Sequence, residues 1–295
     1  MTELEFREIL EQDRLLIEEE LHRYLNGKRR DRDMAEILDA IEYTMFSGGK
    51  RLRPILAMEF CRACGKDPEK ALRVGCAIEF VQAASIVQDD LPIIDDSPLR
   101  RGVPSLHVRY RESTALLASD AMFAMAFDLL MADNMNRMDF RRFLGATLEA
   151  IGVDGLIGGE YLDIENEQKS LSVDQVRKIY RTKTEPLFLL AARFGCFKAH
   201  ARQKKLQAAE TYASNIGICF QIVDDLLDVT QTEEILQKNV GKDANKSTFP
   251  SLLGIDGARA EAERLTEAAL AALEPFGKRK EFLEHFATWL CQRIY

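Results

Sequence analysis

The eight prolines stand at 54, 68, 92, 98, 104, 186, 250 and 275. Three long stretches therefore contain none: the residues before Pro54, those between Pro104 and Pro186, and those between Pro186 and Pro250. Proline inside a helix removes a donor and clashes with the preceding turn, so gaps of this length favour long helices. The apolar spacing agrees. Met34, Ile37, Leu38, Ile41 and Met45 recur at helical intervals, as do Leu206, Ala209, Tyr212, Ile216, Cys219 and Phe220. Alternating, strand-like runs are scarce, and no short repeat or low-complexity linker is visible. The expected fold class is all-α: a single domain over 1–295 with roughly ten or more helices. Loops are expected at 26–32, 64–69, 92–106, 231–249 and 275–280.

Composition narrows the function classes. Hydrophobic residues make up 46%, enough for a sizeable core, and the formal charge of −8 argues against a nucleic-acid partner. No run of 18 or more apolar residues appears, so no membrane span is expected. The first 24 residues are rich in Glu and do not resemble a secretory signal. Cys61 and Cys64 form a lone CxxC without a second pair or a His pair at zinc spacing, which reads as two small core residues of a helix. Nothing implies a disulfide framework, so the expected location is cytoplasmic.

The chemistry is concentrated in two acidic clusters. Asp89-Asp90-Leu91-Pro92-Ile93-Ile94-Asp95-Asp96 follows the apolar segment AIEFVQAASIVQ. Pro92 discourages further helix, so Asp89 and Asp90 belong near a helix C-terminus. The dipole there is negative, and adjacent carboxylates are unfavourable unless a cation joins them. The second cluster, Asp224-Asp225-Leu226-Leu227-Asp228, follows ASNIGICFQIV. Asp224 and Asp228, at i and i+4, share a helix face. One such cluster alone reads as a solvated helix end. Two of them, each closing an apolar helix, point to a hard divalent cation. With few His ligands, Mg²⁺ is favoured over zinc.

Positive charge flanks both clusters. Gly48-Gly49-Lys50-Arg51-Leu52-Arg53-Pro54 lacks the spacing of a Walker loop, but paired glycines admit an anion close to the backbone. Arg100, Arg101, Lys183, Lys238 and Lys246 lie near one acidic cluster or follow the other. This combination suggests a metal-bridged diphosphate whose charge is balanced by Arg and Lys.

In this order the segments resemble those of the trans-isoprenyl diphosphate synthases, the polyprenyl synthetase family, and most of all its bacterial and plastid farnesyl and geranylgeranyl diphosphate synthases. DDLPIIDDSPLRRG resembles the first Asp-rich motif and FQIVDDLLD the second. GGKRLRP, Lys183-Thr184 and KSTFPSLLG fall where the family has comparable segments. The resemblance implies an isoprenoid-synthase-type antiparallel helical bundle around a deep central cavity, usually dimeric. It implies a transferase that condenses isopentenyl diphosphate with an allylic diphosphate, using three Mg²⁺ ions. By motif position, Asp89, Asp95 and Asp224 would be metal ligands, with Asp90, Asp225 and Asp228 as nearby acids. Arg100, Lys183 and Lys238 would hold the allylic diphosphate. Lys50, Arg53, Gln82 and Arg101 would hold isopentenyl diphosphate. Thr184 and Gln221 would face the allylic cation, and His107 could touch the cavity mouth.

Positions 4, 5 and 8 before Asp89 share its helix face: Ser85, Ala84 and Val81. Five residues span about 7–8 Å of helix. In the family an aromatic residue near that depth limits the product to fifteen carbons. The small Ala84 and Ser85 therefore favour geranylgeranyl over farnesyl diphosphate, with Met122, Phe123 or Met125 as a possible floor. Departures from the pattern are Glu160 for the usual Gln, Glu185 for the usual Gly after Lys-Thr, Gln231-Thr232 for Gly-Asp, and a segment from Asp243 to Lys246 that is shortened relative to the family. A terpene cyclase is a rival reading, disfavoured by the second Asp-rich motif and by GGKRLRP. A non-catalytic subunit of a heteromeric synthase is another, motivated by Glu160, Glu185 and Gln231.

Overall fold

The computed structural model describes residues 1–28, 32–230 and 246–292. Among these residues the chain forms thirteen α-helices, a few short 3₁₀ turns and one two-stranded hairpin. The helices are α1 Glu3–Asn26, α2 Ala35–Phe46, α3 Leu52–Ala63, α4 Leu72–Asp89, α5 Leu106–Arg109, α6 Glu112–Ala132 and α7 Arg137–Ile151. They continue with α8 Leu156–Asn166, α9 Val173–Lys183, α10 Glu185–Lys198, α11 Gln203–Thr230, α12 Phe249–Ala272 and α13 Glu281–Gln292. The all-α expectation holds, and the helical spacings read at 33–46 and 205–222 fall in α2 and α11.

Local chemistry sets several boundaries that matter below. Ser172 and Gln175 cap α9 reciprocally, each satisfying a backbone donor of the other. Pro186 sits in the first turn of α10, where its missing N–H costs nothing, and it forces a break after Lys183. Lys183 and Thr184 therefore occupy a joint between two helices. Thr248 and Ser251 form the same reciprocal cap on α12.

α4 and α10 are apolar nearly all round and are buried accordingly. α10 packs against both α4 and α11, so it lies between the two acid-bearing helices. α3 and α6 cover other faces of α4, while α9 and α12 cover α11. Fully buried Phe60, Phe80, Phe188 and Phe194 fill the centre. Each is worth about 1.5–3 kcal/mol of apolar burial. The N- and C-terminal helices meet through Phe6 and Phe282, whose ring centroids are 5.0 Å apart.

Two helical stretches are, by length and composition alone, apolar enough to cross a membrane: Pro68–Asp89 and Glu112–Ala132. Neither is an uninterrupted apolar run of 18 residues. The first is 72% buried and is simply the central core helix; the second is only 39% buried. The CxxC expectation holds for Cys61, which is buried, whereas Cys64 ends α3 with its sulfur 3.9 Å from that of Cys196. All six cysteines are free.

Candidate active site

α4 ends at Asp89, as Pro92 leads one to expect. The chain then curls back on itself. The Asp95 amide donates to the Asp89 carbonyl at 2.9 Å, and the Asp96 amide to the Leu91 carbonyl at 3.1 Å. This turn brings Asp95 back toward the helix end. A hairpin follows, pairing Leu99–Arg100 with Val103–Pro104 across Arg101 and Gly102, which both have positive φ. Such a two-residue turn fits the twist of the strands. It sends Arg100 to Asp90, with Nε 3.1 Å from Oδ1, and Arg101 to the Gly48 carbonyl.

The paired glycines then explain themselves. Gly48 and Gly49 have φ of 106° and 134°, and a Cβ on Gly49 would lie 2.9 Å from the Arg101 guanidinium. Only glycine permits both that backbone conformation and that approach. Arg51 differs from its neighbours. It is buried, bonded to Glu79 at 2.7 Å and to the Met45 carbonyl, so it anchors the segment. Lys50, Arg53, Arg100, Arg101 and Lys183 are the other cations of the cavity lining described below.

On the opposite side, α11 carries the second cluster inside its last turns. Asp225 and Asp228 are buried. Tyr180 donates its hydroxyl to Asp225, and the Gln221 amide donates to the same carboxylate at 3.1 Å. The Thr184 hydroxyl in turn donates to the Gln221 oxygen at 2.9 Å. α9, α10 and α11 are thus tied together beside the cavity.

These elements enclose a cavity of ≈ 580 Å³, lined by Asp89 and Asp224 together with Arg53, Lys183, Thr184 and Gln221. Lys50, Gln82, Arg100, Arg101, Glu160 and Phe220 also line it. Lys238 lies outside the described residues. Of the expected chain-length residues Val81, Ala84 and Ser85, Ser85 alone lines the cavity, beside Gln82 and Ile86. Val81 and Ala84 are buried, and the Ala84 carbonyl accepts the Ser119 hydroxyl at 3.0 Å. The facing stripe of α4 therefore runs 82–85–86–89. Met122, Phe123, Met125 and His107 do not reach the lining, and the His107 Nδ1 is buried without a partner.

The electrostatics are lopsided. Burial pushes the Asp89 carboxyl well above its usual range, and Glu160 and Asp95 push it further, against Lys183 and Arg100. Carboxylates crowded in this way call for a counter-charge, and the donor set is oxygen only, which suits Mg²⁺. Burial also lowers Arg53 to about 10, opposed by Glu79 and Asp224. The Arg53 Nε is buried without a hydrogen-bond partner, and the guanidinium lies over Phe188, 4.6 Å from the ring centroid. A half-buried guanidinium whose Nε lacks a partner, on a cavity wall, is suited to an anion. Burial disfavours the charged Lys183, but Asp163, Glu160 and Asp89 together outweigh it and raise its pKa.

Sequence reasoning missed four neighbours: Glu79, Asp163, Tyr180 and Trp289. Asp163 was within reach, because Glu160 and Asp163 are i and i+3 on one helix and share a face. Trp289, 5.8 Å from the Lys50 ammonium, comes from the far end of the chain and left no local signal. Glu185 does not line the cavity. It is buried, with Oε2 unpaired. Its Cα lies 2.9 Å from where a Cβ on Gly217 of α11 would be.

The polyprenyl synthetase family model matches residues 34–284. The chain belongs to the polyprenyl synthetase family. This synthetase is 37% identical over 238 residues to a geranylgeranyl diphosphate synthase of Cyanophora paradoxa, covering 79% of each chain. It is 33% identical over 256 residues to a farnesyl diphosphate synthase of Bacillus subtilis, covering 85% of this chain and 86% of that one. Its fold superimposes with a TM-score of 0.81 on a geranyltransferase of Helicobacter pylori solved with magnesium and isoprenyl diphosphate. That pair is 26% identical and the match covers 95% and 96% of the two chains. The synthetase is a transferase of the short-chain prenyl type, built on the isoprenyl synthase helical bundle.

Proposed function

We propose that the chain condenses isopentenyl diphosphate with an allylic diphosphate in the presence of Mg²⁺, with geranylgeranyl diphosphate favoured over farnesyl diphosphate as product. The observation that carries the reading is that Asp89 of α4 and Asp224 of α11 line one cavity together with Lys183, Arg100 and Arg53. Asp89, Asp95 and Asp224 are the proposed ligands, for three ions when substrate is bound, and Asp90, Asp225 and Asp228 support them. Mg²⁺ held there would supply Lewis-acid stabilisation of the departing diphosphate.

The remaining work belongs to the protein. Lys183 and Arg100, with Lys238, offer positive charge where charge builds on the leaving group. Lys50, Arg53, Gln82 and Arg101 receive the diphosphate of the attacking alkene. Thr184 donates to Gln221, so its hydroxyl oxygen keeps a lone pair for the allylic cation. Phe220, Leu156 and Leu227 give the cavity an apolar wall that excludes water, which would otherwise quench that cation. The proton lost on closing the new alkene passes to the released diphosphate, so no nucleophilic side chain is needed. Ser85 supports the longer product, because a small side chain stands where the α4 wall begins.

We also propose a single domain over 1–295 acting as a homodimer, seated on α6 and α7. Leu116, Leu117, Met131, Met138 and Leu148 are exposed on these two helices. The six free cysteines fit a reducing compartment, consistent with a cytoplasmic location.

The test is to incubate the purified chain alone with Mg²⁺, isopentenyl diphosphate and labelled dimethylallyl, geranyl or farnesyl diphosphate, reading product length by chromatography. Twenty-carbon diphosphate is expected. No product without a second polypeptide would instead make the chain a subunit of a heteromeric synthase, and cyclised hydrocarbon would make it a cyclase. Light scattering after size exclusion checks the dimer.

A further inference from the structure

Lys183 is not simply an open cation on the cavity wall. α8 and α9 touch through their backbones: a Cβ on Gly159 would lie 2.3 Å from the Lys183 nitrogen. That contact sets the next residue, Glu160, beside the lysine. The Lys183 ammonium is 2.8 Å from Glu160 and 2.7 Å from Asp163, so two carboxylates bracket it. The two acids are not equivalent. Asp163 is shared with Lys246, 3.7 Å away, and although burial opposes it, the two lysines hold its carboxyl below the ordinary range. Glu160 has Lys183 as its single ion-pair partner among the described residues. It is the surplus negative charge, and it lines the cavity with Asp89 and Asp224.

A diphosphate entering without a cation meets Asp89, Glu160 and Asp224 and finds Lys183 already engaged. A diphosphate entering with a divalent cation brings charge that satisfies the carboxylates, and Lys183 can then change partners. We propose that Glu160 is a positioning residue that holds Lys183 away from the diphosphate until a divalent cation accompanies it, which enforces joint entry of metal and substrate. This rests on the reading of the cavity as a diphosphate site. Glutamine keeps the shape of glutamate but loses the charge and gains an NH₂ with two donors, so Glu160→Gln loosens the lysine and leaves it to Asp163 alone.

The experiment is calorimetric titration of inorganic pyrophosphate into the full chain, with EDTA or with saturating Mg²⁺. In EDTA, Glu160→Gln should bind pyrophosphate about tenfold more tightly than the unaltered chain, the scale set by freeing a partly buried cation. In Mg²⁺ the two should agree within about threefold. In a Lys183→Met background the gain in EDTA should shrink to at most about threefold, what is left from removing one negative charge from the lining, since there is no lysine to hold. Equal affinities in EDTA overturn the proposal. So does a gain undiminished without Lys183, which would be a general charge effect, or a loss of affinity in Mg²⁺, which would make Glu160 a metal ligand. Thermal melts establish that each variant is folded. Failure of the unaltered chain to bind pyrophosphate even with Mg²⁺ would instead defeat the diphosphate reading of the cavity.

Discussion

The two acidic clusters look alike in sequence but are built differently, and they divide labour in the same way. At the end of α4 the adjacent pair splits across the helix. Asp90 is buried and held by Arg100, while Asp89 lines the cavity. In α11 the adjacent pair also splits. Asp225 is buried under Tyr180 and Gln221, while Asp224 lines the cavity. Neighbours on a helix point about 100° apart, as 3.6 residues per turn requires, so two successive acids cannot both face one ligand. The first acid of each pair meets the cavity and the second fastens the wall. The difference lies in the fastening. α4 ends at its cluster and needs a curled loop and a hairpin arginine, whereas α11 runs on and uses hydrogen bonds from its neighbours.

The sharpest way to break this comparison is to neutralise each acid in turn. Asp89→Asn and Asp224→Asn should each lower kcat by about 10²–10³-fold, the scale of losing one electrostatic contributor to the transition state. Their melting temperatures should hold, and Asp89→Asn should gain a little by removing a crowded charge. A kcat within threefold of the unaltered chain for either would end the cavity-facing assignment.

Asp90→Asn and Asp225→Asn should show the reverse emphasis, costing stability by about 1–3 kcal/mol through partners left unsatisfied. Tyr180→Phe should share the α11 loss and leave the α4 end untouched. Denaturant titration separates the two, and equal destabilisation by Asp89→Asn and Asp90→Asn would show that the split is illusory.

Product length compares the walls themselves. Ser85→Tyr places a ring on the cavity-facing stripe of α4 and should shift the main product toward a shorter prenyl chain, with little change in the KM for isopentenyl diphosphate. Unchanged product length would move the control of length away from α4.

A smaller effect concerns Glu185, at the joint between α9 and α10, where no ligand meets the carboxylate. Burial raises its pKa above the ordinary 4.5, opposed by Ser214 and Arg181. A carboxyl with a raised folded pKa supports the fold fully below the unfolded value and loses that support as pH rises through the folded one. Glu185→Gln should therefore melt higher than the unaltered chain at neutral pH, with the gap closing toward pH 4.5. A gap independent of pH would remove burial as its cause.

Much of this was legible in the sequence. Proline spacing and apolar periodicity are local, and they sufficed for the all-α class and for α2 and α11. Pro92 placed Asp89 at a helix end. Other features were not local. The α4 stripe was drawn as 81–84–85, but the cavity-facing stripe is 82–85–86, because the rotation of a helix buried all round is set by its neighbours and not by its own pattern. Nothing local told Arg51 apart from Lys50 and Arg53, because its partner Glu79 lies 28 residues on.

The sequence alone settled which residue types could meet a hard cation and an anion, and on which helices they ride, because charge, proline geometry and helical period act within a few residues. Tertiary structure decided which acid of each pair faces inward, which arginine is spent on the fold, and that Glu160 and Asp163 bracket Lys183. Those outcomes depend on backbone approaches such as that of Gly159 to Lys183, between helices that only packing brings together.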